Sequence, residues 1–69
     1  MFYFFERGGE YIRCEINGSG DAGFTLIITE PGGSERTEIF RSSEAVHERW
    51  LDLQERLVKD GWWGPHGRD

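Results

Sequence analysis

Apolar and polar residues change their period once along this chain. From Phe2 to Phe40 they alternate in short runs, and from Ser42 to Gly61 they recur at i, i+4, i+7 and i+11. The first period belongs to half-buried strands, the second to an amphipathic helix. At about 100° per residue, Val46, Trp50, Leu53 and Leu57 fall within a wedge of roughly 60°, with Glu48, Asp52, Glu55, Arg56 and Lys59 opposite. The pattern predicts a helix over about 43–60. Asp52 with Arg56 and Glu55 with Lys59 are acid-before-base pairs at i,i+4 on its outer side.

Both ends of the helix are marked. Ser42 or Ser43 can accept a bond from a free backbone N–H, and Glu44 sets negative charge near the positive end of the dipole. Gly61 suits the left-handed residue after the helix, with Trp62 next to it placed over Leu57. Leu51 and Val58 lie off the stripe. They either widen the core face or form a second contact, to another subunit or to the C-terminal tail.

The alternating part divides at its turn residues. Strands are expected at about 2–7, 10–16, 24–29 and 35–40, separated by Gly8-Gly9, by a glycine-rich loop from Asn17 to Gly23, and by Pro31-Gly32-Gly33-Ser34. Short connections favour an antiparallel meander. The fold expected is therefore α+β: a four-stranded antiparallel meander sheet, then one helix packed on one face, with residues 61–69 as a tail and the whole as a single domain.

Turn length assigns the faces. A two-residue turn at Gly8-Gly9 sets Phe5 opposite Ile12 and Tyr3 opposite Cys14. The same turn at Gly32-Gly33 sets Ile28 opposite Thr37 and Leu26 opposite Ile39. On that map the helix covers Tyr3, Phe5, Ile12, Cys14, Ile16, Phe24, Leu26, Ile28 and Ile39. A turn longer by one residue inverts a hairpin's assignment. The remaining face carries Phe2, Phe4, Tyr11, Arg13, Thr25, Ile27, Thr29 and Arg36, with Phe40 at its margin. One helix covers one side of a sheet, so these aromatic residues face outward in a monomer, and an exposed apolar patch of that kind marks an interaction surface.

Size and charge sharpen this picture. A chain of 69 residues buries only about 60% of its unfolded surface, and small domains add a metal, disulfides or a partner. Cys14 is the single cysteine and no Cys/His cluster has zinc spacing, so no metal or other cofactor is expected and self-association remains. A net charge of −5 disfavours broad attraction to nucleic acid or to an anionic membrane. No segment has the length of a membrane span, and a cytoplasmic location is the expectation.

No catalytic constellation stands out, and a non-enzyme is expected. Ser42 and Ser43 are better explained as helix caps than as nucleophiles. His47, His66 and Asp69 are not brought together by spacing. Cys14 alternates with Ile12 and Ile16, as a small buried hydrophobe does. The run Gly18-Ser19-Gly20-Asp21-Ala22-Gly23 lacks the Gly-Lys-Ser/Thr ending of a phosphate loop and leads into a strand, so no helix N-terminus meets a phosphate there. The ending Trp62-Trp63-Gly64-Pro65-His66 either covers the helix end and a sheet edge or offers Trp63 or His66 to a partner.

Phe2-Tyr3-Phe4-Phe5, then Phe24-x-Leu26-x-Ile28-x-Glu30, then Ile39-Phe40 before a helix containing Trp50, resembles one PUR repeat, the β-β-β-β-α unit of single-stranded nucleic-acid-binding proteins. The resemblance covers most of the chain. It implies homodimerisation of a single-repeat chain and binding of nucleic acid by exposed sheet residues, here Tyr11, Arg13 and Arg36. The acidic charge, the single lysine Lys59 and the Trp62-Trp63 ending depart from that family's pattern. The ending is similar to that of a small bacterial family without an assigned role. Two readings follow. The first is a homodimeric interaction module using Phe2, Phe4, Tyr11, Arg13, Ile27 and Arg36, with Leu51, Val58 and Trp63 as a second contact. The alternative is a single-stranded nucleic-acid binder.

Overall fold

The structure, a computed structural model, describes residues 1–19 and 23–68. Its elements are β1 (Phe2–Arg7), β2 (Glu10–Ser19), β3 (Gly23–Thr29), β4 (Glu35–Phe40), α1 (Ser43–Lys59) and β5 (Trp63–Arg68). The strands form one antiparallel sheet in the order β4-β3-β2-β1-β5. The class is α+β as the periodicity predicts, but the sheet has five strands rather than four, and the fifth follows the helix.

That fifth strand corrects the expectation of a tail over residues 61–69. Glycine and proline are depleted in strands, so Trp63-Gly64-Pro65-His66-Gly67-Arg68 does not read as one. Pairing with β1 brings it into the sheet: Phe2 opposes Arg68, Phe4 opposes His66 and Glu6 opposes Trp63, with a register shift between Phe4 and Glu6. Proline is tolerated at such a place, on an edge strand beside a bulge, where its missing N–H interrupts no inner ladder. Gly64 is required by close approach, since a Cβ there would stand 2.9 Å from both the Phe4 carbonyl oxygen and the Phe5 ring.

The helix forms as its end signals predict. The Ser42 hydroxyl accepts from the Ala45 N–H at 3.1 Å. At the other end the Trp62 N–H donates to the Leu57 carbonyl and the Gly61 N–H to that of Val58, the paired bonds of a Schellman cap, with Gly61 at φ +90°. Arg7 then clamps this end from the first hairpin, donating to the Asp60 carbonyl at 2.7 Å and to its carboxylate at 3.0 Å. Its guanidinium also lies 4.5 Å from the centre of the Trp62 ring. A 17-residue helix is about 25 Å long, enough to cross the ~19 Å width of five strands. It follows β4 at one edge of the sheet and delivers the chain to β5 at the other.

The core lies between helix and sheet: Phe5, Ile12, Cys14, Leu26 and Ile28 from the strands, Val46, Trp50 and Leu53 from the helix, and Trp62. Trp50 packs against Tyr3 with ring centres 4.9 Å apart and edge-on to Phe5 at 5.9 Å. The first hairpin has the predicted register, Phe5 opposite Ile12 and Tyr3 opposite Cys14. The hairpin of β3 and β4 does not. Thr29 pairs with Glu35, so Ile28 opposes Arg36 and Leu26 opposes Glu38. The turn is longer than Gly32-Gly33: the Glu30 N–H bonds to the Ser34 carbonyl and the Gly33 N–H to that of Glu30. One extra residue inverts β4, so Phe40 packs on the core while Ile39 is 74% exposed. Strand β2 also runs on to Ser19, taking Asn17 and Gly18 out of the expected loop; Gly20, Asp21 and Ala22 lie outside the described residues.

Candidate functional site

Strand alternation and register decide what stands on the side away from the helix. Phe4 pairs with Arg13 on one flank and His66 on the other, and Glu6 pairs with Tyr11 and Trp63. Because partners in register share a face, Phe4, Glu6, Tyr11, Arg13, Trp63 and His66 project together. Their rings form a row: Trp63 to His66 at 6.0 Å, His66 to Phe4 at 5.0 Å, and Phe4 to Tyr11 at 6.0 Å between centres. Trp63 is 70% and Tyr11 53% exposed, so the row's two ends lie open while Phe4 and His66 are half-buried between them. Phe2 stands beside the row with the Arg13 guanidinium 5.1 Å from its ring centre.

Ile27 shares this face one strand further, between Glu15 and Thr37 in register. Arg36 does not share it. Opposite Ile28 it projects on the helix side, with Nε 3.7 Å from the Glu38 carboxylate. The structure thus brings together Phe2, Phe4, Tyr11, Arg13 and Trp63, keeps Ile27 at the margin and sends Arg36 elsewhere. Leu51 and Val58 are exposed on the outer side of the helix.

Two members of the open face escaped the periodicity. His66 joins the row because the register shift in β5 lets Trp63 and His66, three apart, point the same way. Ile39 joins the face through the inverted hairpin. For His66 the available signal was its spacing from Trp63 at a Gly-Pro bulge; for Ile39 it was the length of the run Glu30 to Ser34.

The electrostatics are mixed. Arg7 is held by Asp60 and Arg49 by both Glu38 and Asp52, while Arg36 stands 3.7 Å from Glu38 as a loose ion pair. Of Arg7, Arg13 and Arg36, only Arg13 stands on the open face, with Glu6 and Glu15 on the same side; Arg41 follows the end of β4. Arg7, Arg13 and Arg36 do not converge on one surface. Burial pushes the Cys14 thiol up to about 11, which keeps it protonated and inert at neutral pH.

On the helix side a half-open groove of about 450 Å³ lies between the start of α1 and the sheet, lined by Tyr3, Ile16, Phe24, Val46 and Trp50 with His47 at its rim. His47 and His66 therefore lie on opposite sides of the sheet, and Asp69 lies outside the described residues. Among the described residues no cluster of three His, Cys, Asp or Glu side chains is placed to hold a metal ion, and no helix is long and apolar enough to cross a membrane. No family model, curated protein or solved structure matches this chain.

Proposed function

We propose that this chain is a non-enzymatic interaction module that works as a homodimer, stacking the open face of its sheet on that of a second copy. The observation that carries the reading is the aromatic row from Trp63 through His66 and Phe4 to Tyr11, set on a sheet that the helix covers from the other side only. Aromatic anchors with a polar rim are what interface cores are made of. A second copy is the partner that the charges suit. Arg13 shares the face with Glu6 and Glu15, so a two-fold axis can set each arginine against the other copy's carboxylates. The small core supports the same reading, since a domain of this size gains much from burying more surface. A cytoplasmic setting belongs with it, supported by a single buried free thiol.

Sedimentation equilibrium from nanomolar to high micromolar protein, with tryptophan emission recorded over the same range, tests the proposal. Trp50 and Trp62 are already buried, so a blue shift on association reports Trp63. Association accompanied by that shift is expected. A monomer throughout ends the homodimer, and association without a shift ends the role of this face.

One observation favours a second reading. Arg13 stacked on Phe2, beside Tyr11 and Trp63, is an arrangement that can take the bases of a single strand at ~1–3 kcal/mol per stacked base. A labelled oligonucleotide titrated at low salt and again at moderate salt decides it, and absent or salt-insensitive binding removes it.

A further inference from the structure

The two edges of the sheet are built differently. The β5 edge carries Pro65, which has no N–H, and a register shift against β1, features that blunt an edge against pairing. The β4 edge has neither. Glu35 to Phe40 runs in unbroken register on β3 and contains no proline or glycine.

The outward groups of β4 follow from its turn. The Glu30 N–H bonds to the Ser34 carbonyl, and hydrogen-bonded pairs alternate along an antiparallel ladder. Arg36, Glu38 and Phe40 therefore bond inward to β3, and the N–H and C=O groups of Glu35, Thr37 and Ile39 point away from the sheet. All of these outward residues are exposed.

We propose that this free edge adds the β4 of a second copy, antiparallel and centred on Thr37, as a self-association site separate from the open face. The charges choose the centre. With Thr37 opposite Thr37 of the other copy, Arg36 of each chain meets Glu38 of the other, twice over by symmetry. Centring the pair on Arg36 would set arginine against arginine, and centring it on Glu38 would set carboxylate against carboxylate. Directly opposed like charges on a sheet disfavour pairing and opposed unlike charges favour it, so the strand accepts one register and rejects its neighbours. Glu35 then lies opposite Ile39, and their outward backbone groups are satisfied together with those of Thr37. The arginine available for this is not locked at home. Arg36 sits 3.7 Å from Glu38 with its side chain 58% exposed, whereas the tight partner of Glu38 is Arg49. The two-fold axis runs normal to the sheet, so the pair forms a continuous ten-stranded surface with both open faces on the same side.

The test is a register-specific cross-link in the full chain. Cα atoms of a hydrogen-bonded antiparallel pair lie about 5.5 Å apart, within disulfide range. Thr37→Cys is expected to give a disulfide-linked dimer under mild oxidation, while Glu35→Cys, whose copies lie about 14 Å apart along the strands, is not. Adding Arg36→Glu to Thr37→Cys places like charges at both contacts and should reduce the linked dimer about tenfold. Mixing that protein with Glu38→Arg, Thr37→Cys restores opposite charges at both and should restore the link as a heterodimer. Equal cross-linking of Thr37→Cys and Glu35→Cys, or no recovery on mixing two proteins with native circular dichroism, overturns the proposal. A specific link with no Trp63 emission shift would instead keep the edge contact and remove the face-to-face one.

Discussion

Glu38 on β4 and Arg49 on α1 join sheet to helix through two parallel hydrogen bonds, Nε to Oε1 at 2.7 Å and a terminal guanidinium nitrogen to Oε2 at 3.1 Å. The side chains are 25% and 26% exposed, so solvent screens the pair only in part. The Arg49 guanidinium holds the Glu38 carboxyl below the usual carboxylate range, chiefly through the hydrogen bond and then its charge, with partial burial opposing.

A folded-state value below the unfolded one gives stability that is present above the unfolded value and lost as pH falls through the folded value. Glu38→Gln should therefore cost about 1 kcal/mol at neutral pH and flatten the acid side of the stability curve. Urea titrations at pH 7 and pH 3 check it. An equal cost at both would show that the ion pair adds nothing.

The inverted hairpin makes its own prediction. Phe40 packs against the core and Ile39 is exposed, the reverse of what a two-residue turn at Gly32-Gly33 gives. At dilutions where the chain is monomeric, Phe40→Ser should lower the stability by about 2–4 kcal/mol, as loss of a partly buried aromatic does, whereas Ile39→Ser should change it by under about 0.5 kcal/mol. Thermal melts of the two variants distinguish the registers, and the opposite ranking would restore the shorter turn.

These residues also show where the sequence was legible. Helix α1, its cap at Ser42, its stop at Gly61 and the register of the first hairpin follow from local signals, because a hydroxyl before a stripe, a glycine after it and a Gly-Gly turn each act over a few residues. The register of β4 depends on how many residues from Glu30 to Ser34 join the turn, a one-residue difference that alternation cannot see from either side. Strand β5 was invisible for another reason. Its Gly64-Pro65 has poor strand propensity and is held in place by β1, so tertiary pairing outweighs local preference. The aromatic face was legible for Phe2, Phe4 and Tyr11, and its extension through Trp63 and His66 needed the strand that propensity hides.

Trp50 sits in the core of the helix–sheet interface, 6% exposed and packed on both Tyr3 and Phe5. Trp50→Ala should cost about 3–5 kcal/mol, as large-to-small aromatic changes do. In a domain of this size that is most of the stability. Loss of cooperative melting and of near-ultraviolet circular dichroism is the expected result, and a retained sharp transition would place the core elsewhere.

Cys14 gives a chemical readout of the same core. It is fully buried between β1 and β3 in the sheet, with its thiol pushed up to about 11 by burial. A reagent that attacks the thiolate needs both access and ionisation, and the folded state denies it both at neutral pH. Labelling of Cys14 should therefore proceed only through opening of the sheet, at a rate that falls as stability rises. Glu38→Gln and Trp50→Ala should speed it in the order of their costs, while Trp63→Ser, on the far side of the sheet, should leave it unchanged at dilutions where the chain is monomeric. Fast labelling of the unaltered protein, unaffected by these substitutions, would mean that Cys14 reaches solvent without opening and that the helix does not seal this face.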